Sequence, residues 1–187
     1  MARQYTGSAG KITNCQIGVF AAYVSRHGHG FIDRALYLPQ VWTSDPARMA
    51  GAHVPPDTRF ATKPALALAL IDRARAAGVP FAWVAADTVY GTGEVERALR
   101  HAGKGYVLGV SATSQFNSWG AKPPVAGTAA EIAAALDPSA WHRLSAGAGR
   151  GPAARASGYS TGLIWNWPTS RRPNTTRPCP VFGPEVF

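Results

Sequence analysis

A continuous apolar run, Phe81–Ala86, is the feature that most restricts how this chain can fold. Gly78 and Pro80 precede it and end the segment before it, and Asp87 follows it directly. An uninterrupted apolar run of this length is typical of a strand that is buried on both faces. An ionised carboxylate beside such a strand is costly unless a metal ion, a hydrogen bond or water stabilises it. The run therefore predicts a buried strand with a carboxylate at its carboxyl end.

The segments around this run alternate between strand and helix patterns. Stretches rich in strand-forming residues, Asn14–Tyr23 and Phe31–Leu38, predict a β-hairpin around a glycine-rich turn. Capping residues and periodicity predict the remaining elements: a helix from Thr62 to Gly78, a helix from Glu94 to Gly103, a buried strand over Tyr106–Val110, and a helix from a Thr128/Glu131 capping box to Asp137 and Pro138. The order β-β-α-β-α-β predicts an α/β fold with a mixed sheet flanked by helices.

The composition changes after residue 149. Glycine, proline and arginine then dominate, no periodicity remains, and Glu185 is the one acidic residue. Such a segment cannot bury an apolar face and is typical of disorder. A coding region of high GC content that is read out of frame gives the same composition. We therefore expect a domain over residues 1–149 and a basic tail over residues 150–187 that is disordered or out of frame.

The charge balance points to a polyanionic partner. Lysine and arginine number 19 against 10 acidic residues, a net charge of +9, which favours nucleic acid as a partner, with a merely solvated basic surface as the alternative. Cys15 and Cys179 are far apart in sequence and predict neither a disulfide framework nor a zinc site. We find no signal peptide and no membrane-spanning segment in the sequence, and expect a cytoplasmic protein.

Asp87 is the candidate catalytic residue, because functional groups in open α/β sheets gather just beyond the carboxyl ends of strands. The alternative is a turn or capping aspartate before the turn at Tyr90. The glycines of that turn match neither of the common phosphate-binding spacings. Asp33, in the second hairpin strand, is interpreted as a surface charge facing Arg34 or Arg26.

Other polar residues have weaker support as functional groups. Glu94 and Glu96 open a predicted helix, where acidic side chains complement the helix dipole. His27 and His29 share a turn and are candidate metal ligands, although isolated turn histidines seldom bind metals. Lys104 and the basic tail are candidate phosphate contacts, with a solvated charge as the alternative for any single residue.

Several segments of the chain have the order and spacing of the conserved blocks of a known family. They are Arg3–Ile12, Asn14–Phe20, Leu36–Pro39 with Trp42, Phe60–Pro64, Val79–Gly91 and Arg143–Gly147. Together they resemble consecutive blocks of a bacterial insertion-sequence DDE transposase. One short block is weak evidence, whereas several in register are strong. The resemblance runs from about Arg3 to Gly149.

The resemblance implies an RNase H-like fold in which two aspartates and a glutamate hold two divalent ions, usually Mg²⁺, for DNA strand cleavage and transfer. Hard cations prefer oxygen ligands, and two of them clamp the attacking and leaving oxygens of an in-line displacement. On this comparison Asp87 is the second aspartate, and so both a catalytic residue and a metal ligand. The implied partners are DNA at the ends of the element, a second copy of the chain, or a full-length transposase.

The sequence departs from the family pattern at both ends. The first aspartate would lie on a strand upstream of Arg3, and the glutamate on a helix well beyond Leu144, where the chain has only Glu185 beside Pro184. We therefore expect a truncated, partial RNase H-like core that is inactive as a transposase. A DNA- or transposase-binding module that dampens transposition is the alternative. A third class is an unrelated metal-dependent nuclease using Asp87 with Asp33.

Overall fold

A computed structural model describes residues 2–6, 10–118, 125–138 and 179–186. The strands are β1 (Ala2–Thr6), β2 (Lys11–Cys15), β3 (Ile17–Ser25), β4 (Gly28–Tyr37), β5 (Trp83–Ala86), β6 (Gly105–Leu108), β7 (Gln115–Ser118), β8 (Val125–Thr128) and β9 (Cys179–Val186). The helices are α1 (Gln40–Thr43), α2 (Pro46–Gly51), α3 (Lys63–Ala76), α4 (Gly93–His101) and α5 (Ala129–Ala135). The chain divides into two compact units, of which the first holds β1–β6 and β9 with α1–α4, and the second holds β7, β8 and α5.

The main sheet of the first unit has five strands in the order β4-β3-β9-β5-β6. β3 is antiparallel to both of its neighbours, β4 and β9, whereas β5 is parallel to both β9 and β6. The sheet is therefore mixed, and the α/β class predicted from the sequence is confirmed. β1 and β2 form a separate antiparallel pair, which the sequence analysis did not predict.

The predicted hairpin is confirmed as β3 and β4. Its register runs from Ile17 opposite Tyr37 to Ser25 opposite Gly28, so the turn falls at Arg26 and His27. An extra residue in β4 shifts the register after Ala21, which is a β-bulge. Bulges of this kind bend a strand and increase its twist.

Side chains cap both helices that the sequence predicts in this unit. The hydroxyl of Thr62 accepts a hydrogen bond from the backbone N–H of Ala65, and Pro64 lies in the first turn of α3, where a missing N–H costs nothing. Thr92 caps α4 in the same way. Gly78 and Gly103 follow the two helices with positive φ angles of 70° and 63°, the left-handed geometry that favours glycine after a helix.

One apolar core lies between the sheet and the two long helices. β3 contributes Val19 and Ala21, and β5 contributes Val84, all at most 1% exposed. The helices cover them with Ala67, Leu70, Ile71, Val95 and Leu99. Burying a side chain of this kind contributes about 1.5–3 kcal/mol each relative to exposure, so this core is the main source of stability in the unit.

The prediction that β5 and β6 are buried on both faces is wrong. Trp83 in β5 is 41% exposed and Val107 in β6 is 64% exposed. Val84, the residue after Trp83 in β5, is buried. Side chains alternate between the two faces of a strand, and among the described residues the helices α3 and α4 pack on the face that carries Val84. β6 is also the edge strand of the sheet. The apolar run therefore reflects one covered and one accessible face.

The prediction of a tail without regular structure is corrected for Cys179–Val186, which form β9 between β3 and β5. The physical reason is that the two strands flanking that position have backbone groups to pair, and an extended segment satisfies them. The rest of the predicted tail lies outside the described residues.

The second unit confirms the predicted capping box. The hydroxyl of Thr128 accepts a hydrogen bond from the backbone N–H of Glu131 at 3.2 Å, and the carboxylate of Glu131 accepts one from the backbone N–H of Thr128 at 2.8 Å. α5 ends at Ala135, two residues before Asp137, where the sequence places its end. β7 and β8 pair antiparallel in this unit.

Asp33 fastens the hairpin to α3. Its Oδ2 accepts a hydrogen bond from Nε of Arg73 at 2.7 Å, and its Oδ1 accepts one from the backbone N–H of Arg34 at 2.8 Å. The sequence interpretation of a surface charge facing Arg34 or Arg26 is confirmed for Arg34, whose backbone N–H donates to Asp33, whereas the partner on α3 was not predicted. Arg73 is the ion-pair partner, because the packing of α3 on the sheet brings it there. The hydrogen bond from Arg73 holds the pKa of Asp33 below its ordinary value.

We predict that Asp33→Asn lowers the free energy of unfolding by less than about 1 kcal/mol at neutral pH, because the pair is partly exposed to solvent. A lowered folded pKa contributes stability above the ordinary value of 3.8, and that stability is lost as pH falls through the folded pKa. The difference between the two proteins should therefore shrink below that pH in urea unfolding curves. Asp72→Asn is the control, since it removes only a local pair with Arg75 within one helix. An unchanged difference in acid would contradict the assignment.

Candidate functional site

Asp87 begins the turn that follows β5. Its Oδ1 accepts a hydrogen bond from the backbone N–H of Val89 at 2.9 Å, and its carbonyl accepts one from the backbone N–H of Tyr90 at 3.1 Å. The carboxylate is half-buried, and no hydrogen bond reaches Oδ2 from the residues that the structure describes. The strand-end position and the turn-forming role, which the sequence left as alternatives, therefore belong to the same side chain.

The carboxyl end of β6 holds this turn in place. The backbone N–H of Gly109 donates to the carbonyl of Ala86 at 2.8 Å, which extends the parallel pairing to the residue before Asp87. A Cβ atom at Gly91 would overlap the carbonyl oxygen of Gly109, and a Cβ atom at Gly109 would lie 2.9 Å from the backbone nitrogen of Thr88. Both glycines are needed because two backbone segments approach closely. In the turn, Gly91 therefore serves packing.

Tyr90 places a buried hydroxyl near Asp87. Its side chain is 1% exposed, and its hydroxyl has no hydrogen-bond partner among the described residues. Burial, with a smaller contribution from the negative charge of Asp87, raises the pKa of Tyr90 to about 12. The phenol is therefore a neutral donor at every physiological pH. The sequence assigns Tyr90 only to a turn, since no periodic pattern marks it as buried.

The acidic residues of α4 have a structural role. Glu96 Oε1 accepts hydrogen bonds from Arg100 Nη2 at 2.6 Å and from the hydroxyl of Tyr106 at 2.9 Å, and Arg100 Nε also donates to that hydroxyl at 2.9 Å. This network ties α4 to β6. Glu94 lies in the first turn, where its charge complements the helix dipole as predicted.

The basic and histidine candidates are engaged in local contacts. Lys104 Nζ donates to the carbonyl of Phe81 at 2.8 Å and lies 4.5 Å from the centre of its ring. Lys104 therefore fastens the segment before β5 to the end of α4. His27 Nε2 accepts a hydrogen bond from Arg26 Nε at 2.9 Å in the exposed hairpin turn, which engages one of its two possible ligand nitrogens. His29 lies beside it in the same turn.

The described residues do not fit a divalent metal ion. No three histidine, cysteine, aspartate or glutamate side chains within residues 2–6, 10–118, 125–138 and 179–186 come close enough to hold one. Asp33 pairs with Arg73 and Glu96 pairs with Arg100. A single carboxylate supplies too few ligands for the six or more oxygens that such an ion prefers.

The fold and the site define a class: an α/β protein with an isolated carboxylate at the carboxyl end of a parallel strand in a mixed sheet. Comparison with family models identifies the group, because the model for DDE superfamily endonucleases matches residues 1–163. The chain belongs to this family, as the resemblance to DDE transposases implies. Its members are generally dependent on divalent metal ions and act on DNA. No curated protein and no solved structure gives a significant match. Every helix in the described part of the chain is too short or too polar to cross a bilayer.

Removing the unpaired hydroxyl of Tyr90 tests whether it has a partner. We predict that Tyr90→Phe leaves the free energy of unfolding unchanged or raises it, because a buried hydroxyl without a partner carries an uncompensated desolvation cost of about 1–3 kcal/mol. Tyr106→Phe is the matched control and should lower it by about 0.5–1.5 kcal/mol, since that hydroxyl bonds Glu96 and Arg100. Denaturant unfolding measures both. A loss above about 1 kcal/mol in Tyr90→Phe would show that the hydroxyl is bonded.

Proposed function

We propose that Asp87 is one carboxylate of a DDE-type site for DNA strand cleavage and joining in transposition, and that the described residues do not complete that site. In this proposal the chain derives from an insertion-sequence transposase with an RNase H-like core. By itself it does not cleave DNA.

The position of Asp87 is the single observation that carries this proposal. It follows β5, where the carboxyl end of a parallel strand meets the helix that crosses to the next strand. Catalytic groups in α/β sheets concentrate at such ends. Family membership gives that position its chemical meaning, because the chain belongs to the DDE superfamily endonucleases.

The local geometry suits a ligand-binding carboxylate. The hydrogen bond from Val89 fixes the rotation of the side chain, and the close packing of the turn against Gly109 fixes its backbone. Carboxylate oxygens are the ligands that Mg²⁺ prefers. Asp87 therefore contributes a preorganised oxygen ligand, and Mg²⁺ is the proposed ion of a complete site.

A binding role is the second candidate, and the net charge of +9 favours it. A chain with this excess of lysine and arginine attracts phosphate backbones without reading base sequence. A copy that binds DNA or a full-length transposase without cutting DNA would dampen transposition. The two candidates are compatible, since in both of them Asp87 lacks the other two carboxylates of a DDE site.

We predict that the purified chain neither nicks nor joins supercoiled or linear DNA in Mg²⁺ or Mn²⁺, because one carboxylate cannot position two ions. Asp87→Asn is the matched control and should give the same background as the native chain. Gel assays of strand breaks measure this. Metal-dependent cleavage by the native chain that Asp87→Asn abolishes would refute the incomplete site while supporting the role of Asp87.

DNA binding by the chain should be weak, independent of sequence and steeply sensitive to salt. Each neutralised phosphate contributes about 0.9 to the slope of log K against log salt concentration. Fluorescence anisotropy with two unrelated duplexes of equal length, over a range of salt concentrations, measures the slope and the specificity. Tight, salt-resistant binding to one duplex would overturn the sequence-independent role.

A further inference from the structure

β1 and β2 form a two-stranded ribbon outside the main sheet. The two strands pair antiparallel from Ala2 opposite Cys15 to Thr6 opposite Lys11. Among the described residues, neither strand pairs with a third one. A single residue separates the end of β2 from the start of β3, and Cys15 at this junction is buried. The ribbon is therefore anchored at its base by β3, and its tip lies at Thr6 and Lys11.

The base of the ribbon lies at the end of the sheet that carries Asp87. β9 is antiparallel to β3 and parallel to β5, so β3 and β5 run in opposite directions. The register puts Ala86, the last residue of β5, level with Ala21 of β3. From that level β3 continues for four more residues to its start at Ile17, in the direction in which β5 ends. The ribbon and Asp87 therefore belong to the same end of the sheet.

One face of the ribbon carries hydrogen-bond donors and is open to solvent. The register puts Arg3 opposite Asn14, and two positions further along it puts Tyr5 opposite Ile12. Opposite and alternate positions share a face, so these four side chains lie together. All four are exposed, Tyr5 at 65% and Ile12 at 60%. Arginine, asparagine and tyrosine side chains are donors that bind the phosphate oxygens of DNA. The exposed Lys11 adds a second cation at the tip.

The positive charge of the ribbon has no acidic partner. Residues 1–32 contain no aspartate and no glutamate. Within the described part of the chain, neither Arg3 nor Lys11 takes part in an ion pair. Three other arginines of the same unit are paired with acidic side chains, namely Arg73, Arg75 and Arg100. Unpaired cations on an element outside the sheet favour a polyanionic partner.

We propose that this ribbon is an arm that binds the phosphate backbone of duplex DNA at the Asp87 end of the sheet. The proposal rests on the DNA-directed function proposed above and names the element that makes the contact. Arg3, Tyr5 and Asn14 donate to phosphate oxygens from one face, and Lys11 contributes charge at the tip. Contacts to phosphate carry no base information, which agrees with the sequence-independent binding expected for the chain.

The size of the ribbon suits a DNA backbone better than a second protein. Five residues of antiparallel strand span about 17 Å. Phosphates of one DNA strand are spaced about 3.4 Å apart along the duplex axis, so about five of them match that length. A stable protein interface takes about 20–30 residues from each partner. The four side chains of the exposed face are too few for such an interface, and its apolar members are only Tyr5 and Ile12.

The opposite end of the sheet provides a matched control. Arg26 lies in the turn between β3 and β4, and the nearby Tyr23 hydroxyl donates to the carbonyl of Pro80, which precedes β5, at 3.0 Å. Arg75, in the last turn of α3, leads into the same segment. Both arginines are exposed. The nine residues of β3 span about 30 Å, several times the Debye length of about 8 Å at physiological salt, so charge at this end acts little on DNA at the ribbon.

Salt-dependent DNA binding by the full chain tests the arm. Arg3→Gln combined with Lys11→Gln should lower the slope of log K against log salt concentration by about 1.8, since each lost phosphate contact accounts for about 0.9. Arg26→Gln combined with Arg75→Gln removes the same charge and should leave the slope unchanged. Fluorescence anisotropy with a labelled duplex over a range of salt concentrations measures the slopes. Circular dichroism checks that both variants keep the native secondary structure.

A lower slope in the ribbon variant alone supports the proposal. A native slope in the ribbon variant would overturn it. Equal losses in the two variants would also overturn it, because binding would then follow total charge. Either of these results leaves the DNA-binding role of the chain intact, whereas no binding by the native chain would overturn both that role and the arm.

Acetylation of lysines in the native chain tests the contact without a substitution. Lys11 should react more slowly with an acetylating reagent when duplex DNA is bound, because phosphates cover its amino group. Lys104 is the reference, since it precedes β6 at the amino end of the parallel strands, away from Asp87. Mass spectrometry of the peptides measures both lysines. Protection of Lys11 but not of Lys104 supports the proposal, and equal reactivity of Lys11 in free and DNA-bound protein would overturn it.

Discussion

Strand β5 needs backbone partners along both of its edges, and the first unit is organised by that requirement. β6 supplies one partner after the chain has crossed through α4, and β9 supplies the other from a distant part of the sequence. With β5 held on both sides, Val84 faces the helices and the core forms under it. The turn at Asp87 is also held in place, because it begins where β5 ends and packs against Gly109. A candidate site can be positioned this firmly only on a strand that is itself fixed.

The elements that follow from the sequence are those with local signals. Thr62 and Gly78 mark the ends of α3, and the Thr128/Glu131 pair marks the start of α5, because capping involves residues three or four apart. β9 had no such signal, since its partners lie on β3 and β5 and its composition resembles an unstructured tail. The extent of burial in β5 and β6 also escaped prediction. An apolar run does not reveal how many faces of a strand the helices will cover.

In the candidate site, too, local features could be predicted from the sequence and tertiary contacts could not. Asp87 could be singled out from the sequence because a charge after an apolar strand conflicts with burial. Tyr90 and Gly109 could not, since their importance arises only when the end of β6 meets the turn after β5. The ion pair between Asp33 and Arg73 could not be predicted from the sequence either, because Arg73 comes close to Asp33 only through the packing of α3 on the hairpin. Local chemistry thus identified the residue, and tertiary contacts identified its surroundings.

The place of β9 in the sheet also constrains the order of folding. A ribosome synthesises β3, β4, β5 and β6 long before the strand that joins them, so the hairpin and the parallel pair must wait with facing edges open. Contacts between residues so distant in sequence form slowly, because the entropy of closing a long loop is lost before the contacts form. During that interval the open edges are available to other nascent chains. The completion of the sheet is therefore expected to be its slowest step.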